Sequence, residues 1–178
     1  GTVACASAPR VFLGNSVPTW EGSFAAGADF LRDFRVNAFF DWRGGYKKLD
    51  GNRRARCNLF ALCEENYYPH LDKFDAVTLA EAQGGTAYTS KLIQDASFTR
   101  FRELSVTYTL PERWAARANA SRMQITVAGR NLGLWTDYPG IDPEASFNGG
   151  SRGGAFGQWE QNVLPQLRSI VTTINLSF

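Results

Sequence analysis

Residues Pro165–Phe178 read PQLRSIVTTINLSF. From Ile170 onward the even positions are Ile170, Thr172, Ile174, Leu176 and Phe178, and the odd ones are Val171, Thr173, Asn175 and Ser177. A period of two sends the two sets to opposite faces of a strand. One face is apolar, the other mostly polar, and the last residue is aromatic. Such a strand is how an outer-membrane β-barrel ends. It bears on the solvent, the compartment and the direction of every strand before it.

Four earlier segments alternate in the same way. Trp20–Phe30 sets Trp20, Gly22, Phe24, Ala26, Ala28 and Phe30 against Glu21, Ser23 and Asp29. Phe34–Arg43 sets Phe34, Val36, Ala38, Phe40 and Trp42 against Arg35, Asn37, Asp41 and Arg43, with Phe39 joining the polar set. Ser97–Leu110 sets Leu104, Val106, Tyr108 and Leu110 against Glu103, Ser105, Thr107 and Thr109. Ser121 to about Leu132 sets Met123, Ile125 and Val127 against Arg122, Gln124, Thr126 and Arg130. The spacing predicts strands over 20–30, 34–43, 97–110, 121–132 and 166–178, each long enough to cross a tilted bilayer span.

A soluble sandwich also alternates, so the connections decide. Residues 31–33 and 111–119 are short links; 44–96 and 133–164 are long. Short turns on one side and long loops on the other are the habit of transmembrane barrels. The aromatics sort likewise. Trp20, Trp42 and Trp135 fall near the long-loop ends, and Phe30, Phe34, Tyr108, Trp114 and Phe178 near the short-turn ends. The fold class expected is all-β: the last five strands of an antiparallel transmembrane β-barrel, with extracellular loops 44–96 and 133–164. Five strands leave two open edges in lipid. The start, GTVACASAPR, lacks a charged segment followed by an apolar run. Both features lead us to expect the C-terminal piece of a longer chain.

Composition agrees. Mean hydropathy is −0.27 and no apolar run reaches the roughly 18–20 residues of a spanning helix. Luminal polar residues dilute a barrel's average, so the low value does not exclude one. A net charge of +2 implies no nucleic-acid partner. Cys57 and Cys63 either pair in an oxidising surface loop or stay free. A helix over 57–63 would separate them by about 9 Å of rise, so pairing needs an irregular loop there. Asp75–Gln83, before Gly84-Gly85, has the cap and stop of a short helix. The Gly-rich stretch 148–154 lacks the Lys-Ser/Thr of a phosphate loop and reads as plain loop. His70 is the one histidine, and no Gly-x-Ser-x-Gly elbow accompanies it. Neither an enzyme nor a metal or cofactor site is expected.

Four stretches resemble SusC/RagA-type TonB-dependent receptors: Asp95–Pro111 (DASFTRFRELSVTYTLP), Ala128–Glu144 (AGRNLGLWTDYPGIDPE), Gly14–Trp20 (GNSVPTW) and the terminal Leu176-Ser-Phe178. The resemblance implies a plugged barrel of about 22 strands. It implies active import of a large nutrient, an oligosaccharide or a peptide, with a SusD-like surface lipoprotein as lid and energy from the TonB complex. The plug lies outside this chain, so no coupling residue transfers to it. A siderophore or vitamin receptor without a lid, and a non-transporting adhesive barrel, are the alternatives.

Within that picture, Arg35, Asp41, Arg43, Glu103, Arg122, Gln124 and Arg130 line the lumen. Trp159, Tyr138, Phe147 and Phe156 offer flat faces for a ligand, and Asp142 a polar partner, beside Asp137 and Glu144. Packing of the loops is the plainer role for the same residues. Phe178 is the signal read by the outer-membrane assembly machinery and also an anchor at the bilayer surface.

Overall fold

The structure is a computed structural model and describes residues 9, 11–60, 62–64, 67, 92–146 and 159–178. Five long strands form one antiparallel sheet: β1 (Trp20–Phe30), β2 (Phe34–Gly44), β5 (Phe98–Thr109), β6 (Arg122–Thr136) and β8 (Ser169–Ser177). They pair in chain order, and the sheet is open at β1 and β8. No helix among the described residues is long and apolar enough to cross a membrane; strands cross by other rules.

The register sorts the two faces. Phe24 pairs with Phe40 and Phe40 with Phe101; Val36 pairs with Val106, Val106 with Val127, and Ile125 with Ile174. These rows build one continuous apolar face, and Phe24, Leu104, Val106, Val127, Ile170, Ile174 and Leu176 on it are exposed. On the opposite face Asn37 pairs with Ser105 and Ser105 with Ala128, while Thr109 pairs with Gln124 and Gln124 with Asn175. A sheet exposing that much apolar surface needs lipid against it.

The aromatic rows sit where the alternation puts them. At the short-turn end Phe30, Phe34 and Tyr108 lie side by side across three strands, with ring centroids 5.3 and 4.7 Å apart. At the long-loop end Trp20 lies opposite Gly44 and Trp42 opposite Gly22. A Cβ on Gly44 would overlap the Trp20 indole, so the bare backbone there makes room for the ring. A tight turn with positive φ at Leu31 and Arg32 joins β1 to β2. A short helix, Glu112–Arg117, fills the link between β5 and β6.

Two features depart from plain alternation. The register of β5 slips between Phe101 and Glu103, and β6 skips from Gly133 to Arg130 at the same level. Arg102 is the extra residue on one strand. Asn131, with φ at 53°, is the irregular one on the other. Asparagine is among the few side chains that accept this left-handed backbone. The alternation breaks at 132, yet the paired bulges carry β6 on to Thr136.

The second departure is a small sheet above the wall. β3 (Lys47–Asp50) pairs with β4 (Ile93–Asp95) antiparallel and with β7 (Trp159–Glu160) parallel. Both long loops therefore contribute strands of their own. After β3 the chain makes a helical turn, Gly51–Arg53, capped by the Asp50 carboxylate, and runs into a π-helix, Arg54–Leu59. Because the helix stops at Leu59, the chain can fold back. Cys57 and Cys63 are joined in a disulfide with their Cα atoms 4.8 Å apart. The helix expected over 75–83, His70 and the Gly-rich stretch 148–154 lie outside the described residues.

Candidate functional site

Charged side chains from the wall meet the long loops at one end of the sheet. Arg100 and Arg102 leave β5, Asp41 leaves β2, and Asp142-Pro143-Glu144 arrives from the loop after β6. Arg100 Nη2 donates to Asp142 Oδ1 at 2.7 Å, and its Nε lies 2.8 Å from Glu144 Oε2 as a charge contact without hydrogen-bond alignment. The bulge turns Arg102 toward Asp41, and both oxygens of that carboxylate accept from it at 2.8 Å. Arg102 also donates to Glu144 and to Gln166.

The loop backbone is held as firmly. Lys48 Nζ donates to the carbonyls of Asp142 (3.1 Å), Pro143 (2.9 Å) and Ala145. The Tyr46 hydroxyl donates to the Pro143 carbonyl at 3.2 Å. From β7, Glu160 accepts from the amides of Ile141 (3.0 Å) and Asp142 (3.4 Å) and from Asn52 Nδ2 (2.8 Å). Asp142 accepts from the amides of Glu144 (2.9 Å) and Gln166 (3.2 Å). Buried charges persist when partners replace their water: Arg100 and Asp142 are ion-paired, and Lys48 and Glu160 are held by hydrogen bonds to the loop backbone.

Protonation follows from these contacts. Burial alone raises the Asp142 carboxyl, but the Glu144 and Gln166 amides and the Arg100 guanidinium outweigh it and hold it below its ordinary value. Burial lowers the Lys48 ammonium, with Glu160 and Asp142 opposing the drop. Burial raises the Asp50 carboxyl against the amide of Arg53, which it accepts from. It also pushes the Tyr138 hydroxyl up, helped by Glu160 and Asp50.

Of the residues singled out for ligand contact, Tyr138 is 5% exposed and Asp142 1%. Tyr138 packs with Tyr46, Ala96 and Phe98, and Leu134 lies against that cluster. Trp159 is half-buried in β7 over Gly51, where a Cβ would strike its indole. The structure thus brings Tyr138, Asp142 and Trp159 together as the inner packing of the rim. Phe147 and Phe156 lie outside the described residues. Phe178 is exposed at the short-turn end of the apolar face, beyond the Ser177–Arg122 pair.

An open cavity of about 340 Å³ lies beneath the rim on the polar face of the wall. Phe39, Arg102, Glu103, Arg130, Asn131 and Gln166 line it. Phe39, Glu103 and Arg130 stand directly opposite one another on β2, β5 and β6. Arg130 Nε donates to Glu103 Oε2 at 2.9 Å. Phe39 was legible as the one apolar intruder in the polar set of β2. The cavity itself was not, because the paired bulges that open it leave only a slip in the alternation.

No protein-family model matches the chain. Two curated proteins of Formosa agariphila are similar to part of it. TonB-dependent receptor P3 is 32% identical over 92 residues, 51% of this chain and 9% of that protein. TonB-dependent receptor P26 is 28% identical over 95 residues, 53% of this chain and 10% of that protein. Among solved structures, the RagAB peptide importer in its closed-closed state superposes on 91% of this chain and 17% of that one, with a TM-score of 0.68 and 26% identity. Its open-open state covers 92% of this chain at a TM-score of 0.65 and 25% identity. The chain thus spans about a tenth of the length of these curated relatives. Joined to a sheet with one face built for lipid and the other for water, these likenesses place the chain among the SusC/RagA-type TonB-dependent receptors, as a part of the β-barrel.

Proposed function

We propose that the full protein sits in the outer membrane and imports a large nutrient, an oligosaccharide or a peptide, by TonB-dependent active transport. Residues 1–178 supply a section of barrel wall and two outer loops, 44–96 and 133–164. The observation that carries this is the superposition of 91% of the chain on a peptide importer, by a sheet whose faces are sorted apolar and polar. A SusD-like surface lipoprotein is the partner at the rim. The rim suits that role, since the buried ion pairs fix the loops as a stable platform. The TonB complex acts through a plug that belongs to the rest of the receptor, in a barrel of about 22 strands. Phe178 is the residue read by the outer-membrane assembly machinery.

Uptake tests the proposal. Cells carrying the intact receptor are grown on a complex polysaccharide or on protein hydrolysate as sole carbon source. Growth on one of them should require the receptor, TonB and the neighbouring lipoprotein together. Growth that persists without TonB would refute active import.

A further inference from the structure

Both long loops are tied to one short run of chain. β3 ends at Asp50, whose carboxylate caps the turn Gly51–Arg53, and that turn runs straight into the π-helix Arg54–Leu59. From the turn, Asn52 reaches the other loop twice. Its Nδ2 donates to Glu160 Oε1 at 2.8 Å, and its Oδ1 accepts from the Asn162 amide at 2.8 Å. Glu160, fully buried, in turn holds the Ile141 and Asp142 amides. The helical run that carries Asn52 has little to stand on by itself. Helices shorter than about 12–15 residues are marginal in water, and π-helices are rare. Its far end is fixed by the Cys57–Cys63 disulfide, with Cys57 1% and Cys63 3% exposed.

We infer that the Cys57–Cys63 disulfide is a redox latch for the opposite loop. Oxidised, it holds Asn52 where it grips Glu160 and Asn162; reduced, it releases that grip. The latch goes beyond the import reading and needs nothing from it, since every contact in it joins two groups of this chain. A dithiol opens it by supplying two electrons and two protons. The Sγ–Sγ bond breaks to two thiols, and the dithiol closes to its own disulfide. A bridge across six positions restrains the open chain by a factor of roughly fifty. The cytosol keeps thiols reduced and the cell envelope lets them pair. In an exported receptor, oxidation on the way out is therefore the step that closes the rim. A second anchor runs separately. Arg100 holds Asp142, and the Asp142 carboxylate holds the Glu144 and Gln166 amides. That route starts from the wall and does not pass through Asn52. Reduction thus loosens some rim amides and spares others only a few positions away.

The test compares hydrogen exchange of the intact receptor in detergent, resolved to single amides, before and after reduction with dithiothreitol. Reduction should speed exchange at Ile141, Asp142 and Asn162 by roughly ten- to fiftyfold. Glu144 and Gln166 should change by less than about twofold. Counting thiols with a maleimide after denaturation verifies that the bridge has opened. Should the buried bond resist the reagent, the Cys57→Ser/Cys63→Ser variant supplies the open state and carries the same expectation. Heat-modifiable migration on a gel verifies that each barrel has folded. Asn52→Ala, with the disulfide intact, should give the same pattern. Unchanged exchange at Ile141, Asp142 and Asn162 in the open state overturns the latch. So does an equal quickening at all five amides, which would mean that the rim loosens as a whole. A loss in Asn52→Ala without a loss on reduction overturns it too, because Asn52 would then hold its place without the bridge.

Discussion

Arg100 is the residue on which the rim turns. It is buried between two carboxylates that come from a loop more than 40 positions along the chain. Removing one partner of a buried charge pair strands the other and costs about 3–5 kcal/mol. We expect Arg100→Ala to leave the wall intact and to open residues 140–146. Hydrogen exchange of those amides should quicken by about a hundredfold or more in the folded receptor. Asp142 gives the rim a pH dependence of known sign. Its folded pKa is depressed, so its contribution is complete above the ordinary carboxylate value of about 4 and fades as pH falls through the lower folded value. Exchange at Glu144 and Gln166, corrected for the intrinsic rate, should stay level from pH 7 to about 4 and accelerate below that. Asp142→Asn should remove the dependence. None of this could be read from residues 137–144 alone. Pro139-Gly140 and Asp142-Pro143 carry turn signals, and turns are normally solvated. Burial there is imposed by Arg100 and Arg102, which the wall holds in place.

At the scale of the element, strands were legible wherever one face meets lipid, because alternation is then enforced residue by residue. β1 needs little more than its own sequence. The paired bulges were not legible as such, though they leave a trace. Phe101 and Leu104 share the apolar face despite opposite parity, and only an inserted residue reconciles them. Asn131 pays for its bulge with a left-handed backbone, so its substitutions should rank by tolerance of that conformation. Asn131→Gly should be nearly neutral, while Asn131→Val should lose about 1–2 kcal/mol of unfolding free energy in a urea titration of the refolded receptor. Equal losses in both variants would show that the asparagine side chain, which donates to the Leu167 carbonyl at 3.0 Å, matters more than its backbone. The small rim sheet was invisible for another reason. Strands of two to four residues have no period to detect, and the parallel β3–β7 pair joins segments about 110 positions apart.

Across the whole molecule, the two faces predict a labelling pattern. Single cysteines at Leu104, Val106, Ile125 and Ile174 should resist a membrane-impermeant thiol reagent in the intact receptor. Those at Ser105, Gln124 and Asn175 should react from the lumen once the barrel is open to the reagent. Labelling that ignores parity would mean the sheet is not set in a bilayer as described. The rim sheet has a different consequence. The loop after β2 departs through β3 and comes home through β4, and the loop after β6 comes home through β7 against that same β3. Both excursions are thus anchored at their roots, away from the wall. Any change of length between β3 and β4, or between β6 and β7, therefore has to keep Lys47–Asp50, Ile93–Asp95 and Trp159–Glu160 in register for the rim sheet to persist. The shared strand β3 thus makes the two loops one mechanical unit: a disturbance at the root of either is felt at the root of the other.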